Sequence, residues 1–379
     1  MFRVGVFCLC LGSALFGEPL RETSQKELPT CFSCFEHLYF NASSRTFFAL
    51  GASADVNKAI NVKDKRGYTC KKRGLLKPLI KKEVSPVLGT SVVLFERDGT
   101  PNHFTHLFHF LEHLLGIWNF GGEKERDEVK LFLLAGNGKK IPKDWKGSNE
   151  ATFHLIKALF PHAEIKTWDS FLKETKGQVI CFEKVITSDR SMEVFKKEPY
   201  FTDRMLGGYF QALSKESMDH LVLCLRKYCQ WEKKSSDKTV VTYVKRSSRS
   251  LAPHIEKELL DKIGNLSHVD LHVVDFASMS FEQQIKTVAN TDVLLGVHGN
   301  GLSHALFMSP GSTLIELFPK KSFRAEYKIL ASLRGLKYFG WIDEEGFVED
   351  EKAYYYGDVF VPTLNTNVDA ILDVLEHIR

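Results

Sequence analysis

The sequence is poor in the short signatures that assign common enzyme classes. Its 379 residues hold no Gly-x-x-x-x-Gly-Lys-[Ser/Thr] segment, which excludes a P-loop. They hold no Gly-x-Ser-x-Gly elbow, so His298-Gly299-Asn300-Gly301 is not read as an esterase oxyanion loop. No Asp-x-Asp occurs, which removes the common means of holding a divalent metal on a nucleotide diphosphate. The net charge is only +4, without the basic stripe of a nucleic-acid binder. Internal repeats and low-complexity tracts are absent, and beyond Phe16 no apolar run is long enough to cross a bilayer.

What is present begins with a leader. Met1 to Gly17 has Arg3, an apolar run to Phe16 and small residues at Gly12-Ser13-Ala14, and reads as a signal peptide or short anchor. Of eight cysteines, Cys8 and Cys10 lie in that leader. The other six are Cys31, Cys34, Cys70, Cys181, Cys224 and Cys229, an even count that suggests disulfides in an oxidising lumen. Asn41-Ala42-Ser43 and Asn265-Leu266-Ser267 are N-glycosylation sequons, in keeping with a secretory route.

Apolar runs alternate with helical spacing along the chain, which predicts an α/β fold. Strands are expected at 91–95, 130–135, 179–185, 239–244, 271–276, 292–297, 313–318 and 337–341. The boundaries are read as a leader, 1–17; an N-terminal α/β domain, 18–229; a polar linker, 230–238; a C-terminal α/β domain, 239–363; and a closing helix, 364–379. Ser280 and Gln283 stand in capping-box register at the start of a helix.

Two stretches carry chemistry. In the first, Asn102 to Trp118, Phe104, Leu107, Phe108, Leu111, Leu114 and Leu115 recur at helical spacing. His106, His109 and His113 lie roughly on one side with Glu112 beside them, and ionisable groups on an apolar helix are costly to bury unpartnered. His109-x-x-Glu112-His113 also matches an inverted zinc-peptidase pattern, with Glu183 or Glu193 as the third ligand, and this is kept as an alternative.

The second stretch, Asp292 to Pro319, reads as strand, glycine turn, helix, strand. Ser303 stands near the expected N-cap. Free N–H groups at a helix start attract an anion, and Gly299 and Gly301 let it approach the backbone. Lys245, Arg246 and Arg249 follow the strand 239–244 at its carboxyl end, where open α/β sheets bind ligands.

These residues resemble glycosyltransferase family 61. The likeness is strongest in Asp292, Gly296, His298, Gly299, Gly301, Leu302, His304, Pro310, Gly311 and Glu316. Tyr243 and Arg246 resemble the family's Tyr-x-x-Arg segment. The 106–114 helix is similar in part: His109 and Glu112 align, while His106 stands where asparagine is usual.

The resemblance implies a GT-B arrangement of two Rossmann-like domains facing across a cleft, and inverting transfer from a UDP-sugar; the missing Asp-x-Asp adds the expectation that no metal cofactor is used. The implied donor sugar is xylose or N-acetylglucosamine. The acceptor is a glycan or glycoprotein hydroxyl in the endoplasmic reticulum or Golgi lumen; no nucleic-acid partner and no membrane span after leader removal are expected. The implied roles put the diphosphate on the backbone of Gly299, Asn300, Gly301 and Leu302, with Arg246 and Arg249. Glu316 accepts ribose hydroxyls, His298 faces the sugar or phosphate, and Glu112 or His109 is the base. A non-catalytic relative that binds glycans or partners is the alternative from another class.

Overall fold

Five short apolar runs in the C-terminal part of the chain build one parallel sheet. They are β8 (Thr239–Val244), β9 (Val269–Val274), β10 (Val293–Val297), β11 (Thr313–Phe318) and β12 (Lys337–Ile342), in the order β12-β11-β10-β8-β9. Each neighbouring pair is parallel. Counted within the unit, this is the order 2-1-3-4-5 of a doubly wound sheet. β10 and β11 are buried at every position, as expected of central strands covered on both faces. β9 is an edge strand with exposed Asp270 and Val273.

This is a computed structural model. It describes residues 32–41, 46–49, 69–70, 84–95, helical positions between 107 and 117, 123–135, 150–175, 178–188, 215–233, 235–246, 250–318, 326–342 and 368–376. The expectations for the leader 1–17 and for His106, His109, Glu112, His113, Glu193 and Arg249 lie outside the described residues.

The chain divides into two compact units, one built on residues 24–200 and the other on residues 214–379. The first holds β1 (Phe32–Asn41), β2 (Thr46–Ala49), β3 (Thr69–Cys70), β4 (Val84–Phe95), β5 (Val129–Ala135), β6 (Glu164–Thr167) and β7 (Val179–Ser188). Their order is β3-β2-β1-β7-β4-β5-β6. β7, β4, β5 and β6 run parallel, whereas β1 is antiparallel to both β2 and β7, so this sheet is mixed. Its helices are α1 (Glu123–Asp127), α2 (Glu150–Leu159) and α3 (Trp168–Glu174). α2 buries Thr152, Leu155, Ile156 and Leu159 at helical spacing. Within the stretch expected to be helical at 104–118, the described positions Leu107, Phe110, Leu111, Leu114 and Ile117 are helical and buried.

In the second unit α4 (Lys215–Cys229) precedes the sheet, and α5 (Pro253–Gly264), α6 (Phe281–Ala289), α7 (Glu326–Leu333) and α8 (Val368–Glu376) surround it. The capping box is formed: Ser280 Oγ accepts from Gln283 N–H, and Gln283 Oε1 accepts from Ser280 N–H. α8 packs on the core through Val368, Ile371 and Leu375. Burial of each such side chain is worth about 1.5–3 kcal/mol.

Two boundaries differ from the sequence reading. α4 belongs to the C-terminal unit, and the polar stretch after it is not a bare linker. Trp231 is buried there and meets Phe307 edge-on at 5.7 Å. One apolar anchor inside a charged run was enough to hold the segment down. Cys181 and Cys229 are free thiols.

Candidate functional site

The sheet order makes a switch point between β8 and β10, whose connections leave to opposite sides. Ligands of open α/β sheets bind beyond the strand carboxyl ends at such a point. Lys245-Arg246 follows β8 there, and His298-Gly299 follows β10.

These two segments touch. Nη1 of Arg246 donates to the His298 carbonyl at 2.5 Å. The guanidinium then crosses Gly299 so closely that a Cβ built on that residue would lie 1.5 Å from Nη1. Gly299 has φ +154, a region that side chains rarely allow. A Cβ on Gly301 would come within 2.7 Å of Val244 Cγ1, so this glycine lets the turn close onto the end of β8.

The element after the turn is a 3₁₀ helix, Asn300–Phe307, rather than the expected α-helix from Leu302. Its N-cap is Gly299, not Ser303. Ser303 is buried one turn in, donating to Asn300 Oδ1 at 3.3 Å and 3.4 Å from Tyr327 Oη. The Leu302 amide already donates to the Gly299 carbonyl at 2.9 Å. At the other end, Arg334 closes the helix: it donates to the Leu306 carbonyl at 2.8 Å, the Met308 carbonyl at 3.0 Å and Asp219.

His298 is nearly buried, stacked on Phe318 and tilted against Tyr327, both at 5.4 Å between ring centres. Its Nδ1 lies 2.5 Å from Glu316 Oε1. Glu316 is wholly buried, and its second oxygen accepts from Tyr338 Oη at 2.7 Å. Both carboxylate oxygens are thus committed to protein groups rather than turned toward ribose hydroxyls. Burial pushes the Glu316 carboxyl well above the usual carboxylate range, against the opposing bond from Tyr338. Gly340, opposite Glu316 on β12, leaves room for the Tyr338 hydroxyl, which a Cβ there would approach to 2.9 Å.

Two motif residues are structural. His304 is buried, with Nδ1 at 2.9 Å from the Gly301 carbonyl, Nε2 at 2.7 Å from Gln284 Oε1 and its ring 4.3 Å from that of Phe276. Oxygens on both ring nitrogens would suit an imidazolium. Complete burial without a carboxylate partner outweighs them and lowers the pKa to about 4. Asp292 sits at the opposite end of β10 from the turn. Its Oδ2 accepts from Val240 N–H at 3.0 Å and its Oδ1 from Lys233 at 2.8 Å.

Tyr243 of the Tyr-x-x-Arg segment points into the core and donates to Glu256 Oε1 at 2.9 Å, leaving Arg246 as the member at the turn. Glu183, a suggested zinc ligand, instead accepts the Gly89 amide at 2.6 Å in a bulge where Leu88 and Gly89 stand against one residue of β7. Tyr338, Tyr327 and Arg334 escaped the sequence reading. Tyr338 carried a faint signal, a tyrosine in the strand after Glu316.

The C-terminal unit, a parallel α/β sheet with an arginine laid over a glycine turn at its switch point, is of the doubly wound class, whose members take ligands beyond the strand ends. The chain is a member of the family Glycosyltransferase 61, whose profile matches residues 103–315, more than half of the chain. EGF domain-specific O-linked N-acetylglucosamine transferase of Drosophila melanogaster is 26% identical over 202 residues, 52% of this chain and 37% of that protein. Protein O-linked-mannose beta-1,4-N-acetylglucosaminyltransferase 2 of Canis lupus familiaris is 26% identical over 275 residues, 68% of this chain and 43% of that protein. The chain therefore spans about two fifths of the length of these curated relatives. Among solved structures, D-lactate dehydrogenase from Aquifex aeolicus is 11% identical with a TM-score of 0.21, covering 76% of this chain and 84% of that one.

Proposed function

We propose that the protein is an inverting glycosyltransferase that moves a sugar from a UDP-sugar to a hydroxyl of a glycan or glycoprotein. The observation that carries the reading is Arg246 held across Gly299 at the switch point of the parallel sheet. A fixed guanidinium beside a glycine turn suits a diphosphate, whose charge grows as the sugar departs. His298, with the turn 299–301, completes the donor side, and Glu316 acts through His298. Arg249 is proposed as a second cation for the diphosphate. No metal cofactor is invoked, because the sequence offers no Asp-x-Asp to hold one.

Inversion requires in-line attack by the acceptor hydroxyl, with a base to take its proton. Glu112 or His109 of the N-terminal unit is proposed as that base, which implies a GT-B arrangement of the two units around the ligand. N-acetylglucosamine is favoured over xylose as the donor sugar because both named relatives transfer it. The leader and sequons support the endoplasmic reticulum or Golgi lumen. No helix among the described residues is long and apolar enough to cross a membrane.

Thermal-shift measurements with a panel of nucleotide sugars test the reading, since a ligand of the native state raises Tm. UDP-N-acetylglucosamine or UDP-xylose is expected to raise it most. No shift with any nucleotide sugar sinks the proposal. UDP binding without release of sugar from any donor instead supports the non-catalytic binding module.

A further inference from the structure

We infer that β9 is a self-pairing edge. Two copies of the chain join there, antiparallel, about a twofold axis through Leu271, with Asp270 of each copy against His272 of the other. This is independent of the nucleotide reading above.

Among the described residues β9 pairs with β8 alone, so its outer side is open. Amide directions alternate along a strand. The His268 and Val274 carbonyls accept from Thr239 and Lys245 on the β8 side, at 2.9 and 2.8 Å. Residues 270 and 272 share that direction, which turns the amides of Val269, Leu271 and Val273 outward. The Val269 N–H is already taken, donating to the Leu266 carbonyl at 3.0 Å. The groups left facing out include the Leu271 N–H and carbonyl, the Val273 N–H and the Val269 carbonyl. Such a row is a template for another strand.

The residues favour a second copy as that strand. Val269-Asp270-Leu271-His272-Val273 reads alike from either end, with acid and imidazole exchanged. About an axis at Leu271, each Leu271 meets its own counterpart and each Val273 meets a Val269. The two Leu271 exchange both backbone bonds, and each Val273 N–H reaches a Val269 carbonyl. These bonds use the open groups and do not require the Val269 N–H. Asp270 and His272 then face each other as a non-hydrogen-bonded pair, the closer kind, with Cα atoms about 4.5 Å apart.

Within one copy, Nε2 of His272 lies 3.1 Å from Oδ2 of Asp270, and both side chains are about half exposed. Pairing gives each a second partner and sets four groups on one face, acid alternating with imidazole. Registers centred on residue 270 or 272 would set acid on acid or imidazole on imidazole, and like groups directly opposite are disfavoured. On the other face the contact covers Val273, 46% exposed in the single chain, and continues the core side on which Leu271 packs.

The arrangement is isologous and closed, because each copy offers the same patch. It makes one sheet of ten strands, five from each copy, with the carboxyl ends of the two halves on opposite sides. The seam is only six residues long. That is small beside the roughly 1,600 Å² of a standard stable interface, so a weak, reversible dimer with a Kd of about 10–100 µM is expected.

Sedimentation equilibrium of the full chain from about 1 to 300 µM, before and after enzymatic deglycosylation, tests this. Asp270→His and His272→Asp each set like against like and are expected to weaken the dimer about tenfold or more. Making both changes together restores opposites, and is expected to return the Kd to within about threefold of the parent. Thermal melts at low concentration are expected to match the parent in all three variants, since both side chains are exposed. A chain that stays monomeric throughout the range overturns the inference and leaves β9 an edge guarded by its charges. A dimer indifferent to both single changes overturns it by placing the contact elsewhere. Losses that the double change does not repair overturn the register, and with it the self-pairing edge.

Discussion

The Arg246 guanidinium fills the space that a side chain at Gly299 would need, and it bonds to the carbonyl just before that glycine. The arginine and the glycine therefore act as one device. Gly299→Ala is expected to expel Arg246 as well as strain the turn, at about 1–3 kcal/mol for the backbone alone. Arg246→Ala is expected to raise the Kd for UDP about tenfold or more, and that for uridine far less. The double variant should bind UDP no worse than the poorer single one. Calorimetric titration of the three variants decides it, and fully additive losses would show that the two residues work separately.

Arg334 carries a structural load that nothing local announces. Replacing it with methionine leaves the Leu306 and Met308 carbonyls without their donor and frees Asp219. A loss of about 2–5 kcal/mol in stability is expected from two orphaned buried carbonyls. Urea denaturation measures it; a change under about 1 kcal/mol would mean that water replaces the guanidinium.

His304 makes stability depend on pH. Its folded pKa, about 4, lies below the unfolded value near 6.5, so the unfolded chain binds more protons between those limits. The contribution is complete above about pH 6.5 and is lost as pH falls toward 4, for a total of about 3 kcal/mol. Denaturation curves at pH 7 and pH 5 should show the slope in the parent and a flatter one in His304→Gln. Equal slopes would refute a neutral, buried His304.

Asn265 sits exposed in the turn between α5 and β9, with Ser267 of its sequon also exposed. Expression through a secretory pathway should add a glycan there, seen as a mobility change on enzymatic deglycosylation that is lost in Asn265→Gln. The same variant should bind UDP unchanged. An unmodified Asn265 in secreted protein would count against the proposed compartment.

Much of the second unit was legible from sequence because its signals are local. The boundaries of β8 and β11 follow their apolar runs, and Ser280 and Gln283 announce a helix start within four residues. The Glu316–Tyr338 bond was not legible, since its partners lie on adjacent strands 22 residues apart and only the sheet order joins them. Trp231 was hidden by the charges around it. The 3₁₀ geometry after Gly299 was hidden too, because the apolar spacing of Leu302, Leu306 and Phe307 suits either helix type. The family membership was readable from the turn itself, while the proposed bases lie in a part of the chain whose local pattern admits several chemistries.

Asp292 and His298 bracket β10, one tethered to the start of β8 and the other opening onto the turn. Side chains alternate along a strand, so the interval between them works as a ruler. A single residue inserted between Leu294 and Gly296 would leave the tether in place and rotate everything downstream to the opposite face. The imidazole would then swing away from its carboxylate, and Arg246 would have no glycine to cross. Spacing, more than residue identity, is what this stretch of chain cannot give up.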